Sequence, residues 1–305
     1  MMTRLAAGVA ALGMAVTITG CGQDAAAERR AGGDITVTAS TNVWGSLASA
    51  VGGDEVDVTS IISDPARDPH SYQLTPRDAA RLTGAQLVVV NGGGYDDSVE
   101  QAIGEGGQVI NAFALGRPKG ETKTSGGHEN GDNEHVWYRL ATVAAVADEI
   151  AKRLGEIRPE SRDAFETNAK SLKDKLDGLA NRLDEIAQAH GGAKVVATEP
   201  LAHYLIEDAG LQDVTPAEFV EAIEEETDPP AAAVAGIQRL VAQRQVTVVI
   251  HNPQTETPVV ADVLSKARAA NLPVVDMAET LPARQDYVMW MTEQIEALSS
   301  ALDQK

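Results

Sequence analysis

The sequence predicts an α/β protein with two Rossmann-like lobes, each built on a mainly parallel sheet, joined by one long rigid helix. Short β-branched runs alternate with segments of helical periodicity, first before residue 158 and again after residue 190. Continuous apolar runs of this kind are typical of parallel strands covered on both faces. Between the two stretches, apolar side chains recur at three- and four-residue steps across residues 159–189, which is far longer than a mean globular helix.

The composition agrees with this fold class and excludes one class of partner. The 305 residues are 43% hydrophobic but only 4% aromatic, so the core is expected to consist mainly of Ala, Val, Leu and Ile. The formal net charge is −20, from 25 basic and 45 acidic residues. Because nucleic-acid binding depends on neutralising phosphates with Lys and Arg, we expect no nucleic-acid partner.

The N-terminus is typical of an exported lipoprotein. Arg4 precedes an apolar run, Leu5–Ile18, which matches the central region of a signal peptide and is too short for a membrane-spanning helix. Small residues then precede Cys21, the only cysteine, as in a bacterial lipobox. We predict a lipoprotein signal peptide over residues 1–20 and lipidation of Cys21. An ordinary signal peptide with an incidental cysteine stays open as the alternative.

The next segments form a tether and the first lobe. Residues 21–33 are rich in Ala and charge and are predicted to be a flexible tether. The first lobe is predicted over residues 34–157, with strands at 35–39, 56–62 and 87–90 and helices at 43–51 and 76–82. Thr75 is expected to cap the second of these helices, since Pro76 follows at the first helical position. Three glycines at 92–94 lack the spacing of a dinucleotide-binding loop and predict a tight turn instead.

The middle of the chain contains a loop and the linking helix. Residues 116–134 are polar and glycine-rich, which predicts a surface loop, and the chain is expected to be helical from residue 136. The linking segment is predicted over residues 158–190, where the helix of about 30 residues would span roughly 45 Å. Gly191 and Gly192 mark its end.

The second lobe is predicted over residues 191–305. Strands are expected at 194–197, 246–250 and 272–275, and helices at 201–209, 230–243 and 286–302. Thr227 and Asp228 are candidate caps for the helix at 230–243, and Glu224–Glu226 is interpreted as a solvated charged stretch. A ligand site should lie between the lobes, at the carboxyl ends of the strands.

Two histidines are candidate metal ligands. His70 lies in Asp68–Pro76, held between two prolines that restrict the backbone, and His135 lies in Asn133–Trp137. Both occupy strand-to-helix junctions of the first lobe, so both could face one ion; alone, either could be a surface or capping histidine. The remaining histidines are weaker candidates: His128 in the loop, His190 at a helix end, His203 within a helix and His251 in reserve after a strand.

The second lobe offers two carboxylates at comparable positions. Glu199 follows a strand and precedes a helix, and Asp286 stands at the start of the last helix. For Asp286, a helix N-cap is the simpler alternative.

These pieces together resemble a known family. They comprise Val56–Ile62 leading into Asp68–Pro76, Leu87–Asp96, His135–Trp137, the helix at 159–189, Glu199 with Tyr204 and Leu205, and Tyr287–Met291. The chain resembles the metal-binding lipoproteins of bacterial ABC transporters for zinc and manganese, the cluster A-I with a rigid linking helix. The resemblance covers nearly all of residues 35–303 in the expected order.

The resemblance implies the ligands. It makes His70 and His135 the ligands from the first lobe, and Glu199 and Asp286 those from the second. Zinc importers of the family often have histidine where Glu199 stands, so this chain looks more like the manganese type. Two positions depart from the family pattern: Arg139 replaces a common acidic residue, and Asp286 is one residue out of register.

The chemistry of this ligand set leaves the metal open. Two imidazoles with two bidentate carboxylates suit Mn²⁺, whereas the same groups bound through single oxygens form a tetrahedral Zn²⁺ site. The intrinsic affinity order of divalent metals does not identify the physiological one.

The function implied by the resemblance is metal import. The protein would be a non-enzymatic, extracytoplasmic lipoprotein, a monomer anchored to the cytoplasmic membrane through Cys21. It would hand Mn²⁺ or Zn²⁺ to an ABC permease and its ATPase. The alternative is a surface metallohydrolase, which needs an open metal position and a general base. The sequence has neither an HExxH pattern nor a nucleophile elbow, and nothing in it tests an adhesin role.

Overall fold

The computed structural model describes residues 34–65, 69–103, 108–117, 133–225 and 227–304. The predicted signal peptide and tether, Cys21, Asp68 and His128 lie outside these residues. Among the described helices, none combines the length and the apolar character that a bilayer span requires.

The first half of the fold is a four-stranded parallel sheet with helices after its strands. Its elements are β1 (Ile35–Thr41), α1 (Asn42–Gly52), β2 (Val56–Ile62), α2 (Pro76–Gly84), β3 (Leu87–Val90), α3 (Asp97–Ile103), β4 (Gln108–Asn111) and α4 (Ala112–Gly116). The strand order is β2-β1-β3-β4, and all pairs are parallel. The three strands predicted from the sequence are therefore confirmed, with β1 extending to Thr41.

The predicted cap of α2 is also present. Thr75 Oγ1 accepts a hydrogen bond from Asp78 N at 3.2 Å, and Thr75 N donates to Asp78 Oδ2 at 3.0 Å. This reciprocal pair is a capping box, which satisfies two backbone N–H groups that a helix start would otherwise leave unpaired. The segment that contains His70 thus leads into a helix whose N-terminus is capped.

Two helices connect the sheets. A 3₁₀ turn at Val136–Tyr138 precedes α5 (Leu140–Ile157), and a second 3₁₀ turn at Pro159–Ser161 precedes α6 (Arg162–His190). The long helix predicted from periodicity is thus confirmed, although its first turn is 3₁₀. It contacts α1, α5 and α11 (Tyr287–Leu302). Its buried side chains occupy one stripe: Phe165, Ala169, Leu172, Leu176, Leu179, Leu183 and Ile186.

The second sheet repeats the parallel architecture. Its elements before α11 are β5 (Lys194–Ala197), α7 (His203–Asp208), β6 (Gln212–Asp213), α8 (Ala217–Glu224), α9 (Ala231–Ala242), β7 (Val248–His251), α10 (Pro258–Ala269) and β8 (Val274–Asp276). The strand order is β6-β5-β7-β8, again all parallel. The predicted class of two parallel α/β lobes with a long connecting helix is confirmed.

Some local predictions for this sheet need correction. The helix predicted at 201–209 begins as a 3₁₀ turn at Pro200–Ala202, and the strand predicted at 246–250 is shifted to 248–251. Neither Thr227 nor Asp228 caps α9, because Pro230 is its N-cap residue and the Thr227 hydroxyl donates instead to Ala222 O at 3.2 Å. Proline fixes its own φ, so the helix start is defined without a side-chain cap.

The glycine triplet after β3 forms the predicted tight turn. Gly92, Gly93 and Gly94 all have positive φ, a conformation that glycine adopts without the cost of a Cβ clash. Asp96 accepts hydrogen bonds from Asn91 N at 2.6 Å and Gly92 N at 2.7 Å, so the turn is closed from within. The turn brings Tyr95 to the carboxyl end of the first sheet.

Candidate metal centre

His70 lies on the segment between β2 and α2, at the carboxyl end of the first sheet. A turn bonds Tyr72 N to Pro69 O at 3.2 Å, and the His70 ring packs edge-on against Tyr95, with ring centroids 4.7 Å apart. Its side chain is 25% exposed, so this histidine lies at the boundary between solvent and the interior.

His135 approaches the same point from the start of the turn before α5, and it is completely buried. Its Nδ1 lies 2.9 Å from Asn133 Oδ1. Because that oxygen is an acceptor, Nδ1 carries the proton and Nε2 presents a lone pair. Burial, with smaller contributions from His70 and His203, lowers the pKa of His135 well below its usual range, so the imidazole is held in the neutral form that binds metals.

Glu279 completes a group with these two histidines. It follows β8, is 1% exposed, and places Oε2 3.5 Å from His70 Nε2. The same oxygen accepts a hydrogen bond from Tyr95 OH at 2.9 Å. One ligand atom from each of His70, His135 and Glu279 lies within 4.8 Å of the others. The sequence interpretation did not select Glu279, although it follows an apolar strand just as Glu199 does.

Glu199 lies beside this group, after β5, and is 2% exposed. Asn252, the residue after β7, donates to Glu199 Oε2 at 2.6 Å and to Glu279 Oε1 at 2.8 Å. One amide thus links the two carboxylates. The carboxyl ends of β5 and β8 therefore supply the two carboxylates, and that of β7, which lies between them, supplies the amide, as the rule for parallel sheets predicts.

Glu224 adds a third carboxylate from the last residue of α8. Its Oε1 lies 3.7 Å from His135 Nε2 and 3.9 Å from His70 Nε2, and its side chain is only 12% exposed. Burial, followed by the charges of Glu134 and Glu199, raises the pKa of Glu224 to about 10. The interpretation of Glu224 as part of a solvated stretch is therefore wrong; Glu225, the next residue, is exposed.

Asp286, predicted as the fourth ligand, lies apart from this group. Its Oδ1 accepts a hydrogen bond from Met289 N at 2.8 Å and so caps α11, which is the alternative that the sequence left open. It lines a different cavity, together with Asn42, Ser46 and Arg284. From this part of the chain, the fold instead brings Glu279, seven residues before Asp286, close to the histidines.

The other described histidines have partners of their own. His251 Nδ1 lies 2.8 Å from Asp276 Oδ1, and His190 Nε2 lies 3.1 Å from Asp303 Oδ1 at the end of α6. His203 is exposed and packs against Tyr204. None of these three lines the cavity at His70.

The cavity itself is acidic. It has a volume of about 480 Å³, and its lining includes His70 and five carboxylate side chains: Glu199, Glu224, Asp228, Glu256 and Glu279. Its lining within the described part of the chain contains neither Lys nor Arg. Such a cavity concentrates cations near the histidines.

Hydrogen bonds join the two lobes around the site. Asn42 of α1 donates to Leu281 O and accepts from Leu281 N, both at 2.9 Å. Three tyrosines bind backbone oxygens in the opposite lobe: Tyr138 OH donates to Ala278 O, Tyr287 OH to Trp137 O and Tyr204 OH to Asn133 O. The two halves of the site are thus held at a fixed separation.

The donor set fits a divalent transition metal. Imidazole nitrogens and carboxylate oxygens are ligands of Zn²⁺ and Mn²⁺. Considering the described residues, His135 Nε2 is fully buried with no hydrogen-bond partner, and buried polar atoms of that kind call for an explanation. A cation at this point would supply the missing partner.

Comparisons with known proteins point the same way. In sequence, the chain is 34% identical over 185 residues to the manganese-binding lipoprotein MntA of Bacillus subtilis, covering 59% of each chain. It is 22% identical over 296 residues to the zinc-binding lipoprotein AdcA of Streptococcus pneumoniae, covering 91% of this chain and 58% of AdcA. The chain therefore spans little more than half the length of these curated relatives.

A structural comparison and a family profile extend the match. The periplasmic zinc-binding protein TroA from Treponema pallidum shares the fold, with a TM-score of 0.72 at 17% identity over 89% of this chain and all of TroA. The profile of the family described as zinc-uptake complex component A, periplasmic, matches residues 37–301. With two parallel-sheet lobes, a long connecting helix and a profile match over most of its length, the chain belongs to the ZnuA family.

Proposed function

We propose that this protein captures Mn²⁺ or Zn²⁺ between its lobes outside the cytoplasm and delivers it to an ABC permease. One observation carries the proposal: His70 and His135 from one lobe meet Glu279 from the other, and Asn252 links Glu279 to Glu199 at the acidic cavity that His70 lines. The names of relatives support it, since MntA is called manganese-binding and AdcA zinc-binding.

In this proposal the four ligands are His70, His135, Glu199 and Glu279. The histidines provide two neutral nitrogens and the glutamates two anionic oxygens, so a divalent cation neutralises the carboxylates it binds. Asn252 already orients both carboxylates by donating to one oxygen of each. Ligand partners of this kind fix geometry and raise metal affinity.

Delivery and anchoring extend the proposal to partners. The permease and its ATPase would receive the ion from the cavity, and lipidation of Cys21 would hold the monomeric protein at the outer face of the cytoplasmic membrane. The names of several relatives include ABC transporter and lipoprotein. The hydrolase alternative gains no support, because the family is described as an uptake component.

Thermal unfolding with and without metal tests the binding function. Mn²⁺ or Zn²⁺ at 100 times its dissociation constant stabilises a protein that binds it only when folded by about 2.7 kcal/mol, so we expect a clear rise in Tm. The double variant His70→Ala/His135→Ala should lose the rise. His190→Ala, outside the cavity, is the matched control and should keep it.

Metal content and competition complete the test. Protein purified without added metal would be analysed for bound elements, then titrated with Mn²⁺ and Zn²⁺ in competition. A Tm that no divalent metal changes, or a rise that survives in the double variant, would refute the proposed function.

A further inference from the structure

Glu224 has a position that the four proposed ligands do not explain. Its Oε1 faces both histidine Nε2 atoms, at 3.7 Å and 3.9 Å, while Glu279 Oε2 lies 3.5 Å from His70 Nε2. The two separations from Glu224 are too long for hydrogen bonds. Two ligands bound to one ion at about 2.1 Å lie roughly 3.0–3.4 Å apart in octahedral or tetrahedral geometry. The observed spacing is therefore slightly wider than that around a bound ion.

The facing atoms have unmet bonding capacity. Within the described part of the chain, Glu224 Oε1 and His135 Nε2 are both buried without a hydrogen-bond partner. The His135 ring is fully buried and its orientation is fixed by Asn133 at Nδ1. An unpartnered nitrogen and an unpartnered carboxylate oxygen thus point toward the same space, which His70 also borders.

The surroundings of Glu224 are anionic rather than cationic. The charges that act on it belong to Glu134, Glu199 and Glu279. One carboxylate oxygen from each of Glu134 and Glu224 forms a second compact group with a ring nitrogen of His70. The cavity lining, as far as it is described, offers no Lys or Arg to offset this charge. Since no basic side chain of the described lining offsets these carboxylates, a metal ion is the cation that would do so.

We propose that Glu224 is a fifth ligand to the transported ion and that it favours Mn²⁺ over Zn²⁺. The inference rests on the proposed function. Zn²⁺ is satisfied by four ligands in tetrahedral geometry, so a fifth donor adds little to its binding. Mn²⁺ prefers oxygen-rich sites with more ligands, so a third carboxylate strengthens its binding selectively.

Two substitutions of Glu224 and one of the adjacent Glu225 test this role. Glu224→Gln keeps the size of the side chain but removes its anionic oxygen, and Glu224→Ala removes the ligand entirely. Glu225→Gln, at the exposed adjacent residue, is the matched control for charge. Dissociation constants for Mn²⁺ and Zn²⁺ would be measured on each purified protein by competition with a chromogenic chelator, and X-ray absorption would give the coordination number of bound Mn²⁺.

We expect Mn²⁺ affinity to fall about tenfold or more in both Glu224 variants, Zn²⁺ affinity to change much less, and Glu225→Gln to match the parent protein. The Mn²⁺ coordination shell should lose one oxygen donor in Glu224→Ala. Circular dichroism and the Tm of the metal-free proteins would verify that each variant folds.

Three results would overturn the inference. These are equal losses for both metals, unchanged Mn²⁺ affinity, or a gain in affinity, which would show that Glu224 only obstructs the site. Each of them leaves the proposed function intact if the parent protein binds metal. A parent protein that binds neither ion would instead refute the proposed function together with this inference.

Discussion

Three of the four proposed ligands, His135, Glu199 and Glu279, are positioned by a hydrogen bond to a side-chain polar atom. His135 uses Nδ1 for Asn133 and leaves Nε2 facing Glu224 Oε1, while Glu199 and Glu279 share the amide of Asn252. Side chains held in this way lose little further freedom when an ion binds. The site is therefore organised before metal arrives, and a substitution at a ligand should reduce affinity without a large change in stability.

Substitutions of Glu279 and Asp286 are expected to change different properties, metal affinity for the first and stability for the second. Glu279→Ala removes a carboxylate that lies 3.5 Å from His70 Nε2, so Mn²⁺ and Zn²⁺ affinity should each fall by about 10-fold or more. Asp286→Ala removes the cap of α11 and should cost about 1 kcal/mol of unfolding free energy with unchanged affinity. Isothermal titration and denaturant unfolding measure the two quantities.

The pair of variants is its own control, since each removes one carboxylate from the segment between β8 and α11. If Asp286→Ala abolished metal binding while Glu279→Ala left it intact, the ligand set predicted from the sequence would be right and the one proposed from the structure would not.

At the scale of elements, the site residues lie near helix starts and strand ends. The α2 start is the clearest case: Asp78 accepts hydrogen bonds from Thr75 N, Thr75 Oγ1 and Tyr72 OH. Burial raises the pKa of Asp78, but these hydrogen bonds and the charge of Arg81 outweigh it and leave the pKa below its usual value. The ionised carboxylate therefore stabilises the segment that leads from His70 into α2.

This arrangement predicts a pH-dependent loss in Asp78→Ala. The pKa is lower in the folded state than in the unfolded one, so the stabilisation is present above about pH 4 and is lost as pH falls through the folded pKa. At pH 7 we expect the variant to lose about 1 kcal/mol of unfolding free energy. The difference from the parent should shrink toward pH 3, as measured by urea unfolding. Asp54→Ala, at an exposed position, should show little difference at either pH.

Sequence patterns predicted the elements better than the site. β2, β3 and α6 follow from local periodicity, and His70 and His135 follow from their polar junctions. Glu279 was missed because its orientation comes from Asn252 and Tyr95, which are distant in sequence. Glu224 was missed because three adjacent glutamates resemble a solvated stretch, whereas the end of α8 largely buries Glu224 and leaves Glu225 exposed.

At the scale of the whole molecule, one hydrophobic cluster extends from the first sheet through α6 to α11. It includes Val37 and Trp44 of the first lobe, Leu179 of the linking helix, and Ile250 and Trp290 of the second lobe. Each lobe also has a smaller hydrophobic cluster of its own, but the shared cluster couples the two lobes. Large hinge opening would expose apolar surface, which is unfavourable in proportion to its area.

We therefore expect metal binding to change mobility rather than shape. Small-angle scattering curves with Mn²⁺ and with chelator should superimpose, whereas hydrogen exchange should slow around His70, His135, Glu199 and Glu279. Asn42→Ala removes both hydrogen bonds to Leu281 and should cost about 1–3 kcal/mol, with faster exchange across residues 277–285 even in the metal-bound protein. A clear contraction on adding Mn²⁺ would mean that the lobes close as hinged bodies and that the shared core does not limit them. Exchange across residues 277–285 that Asn42→Ala leaves unchanged would mean that the hydrogen bonds to Leu281 do not hold this segment in place.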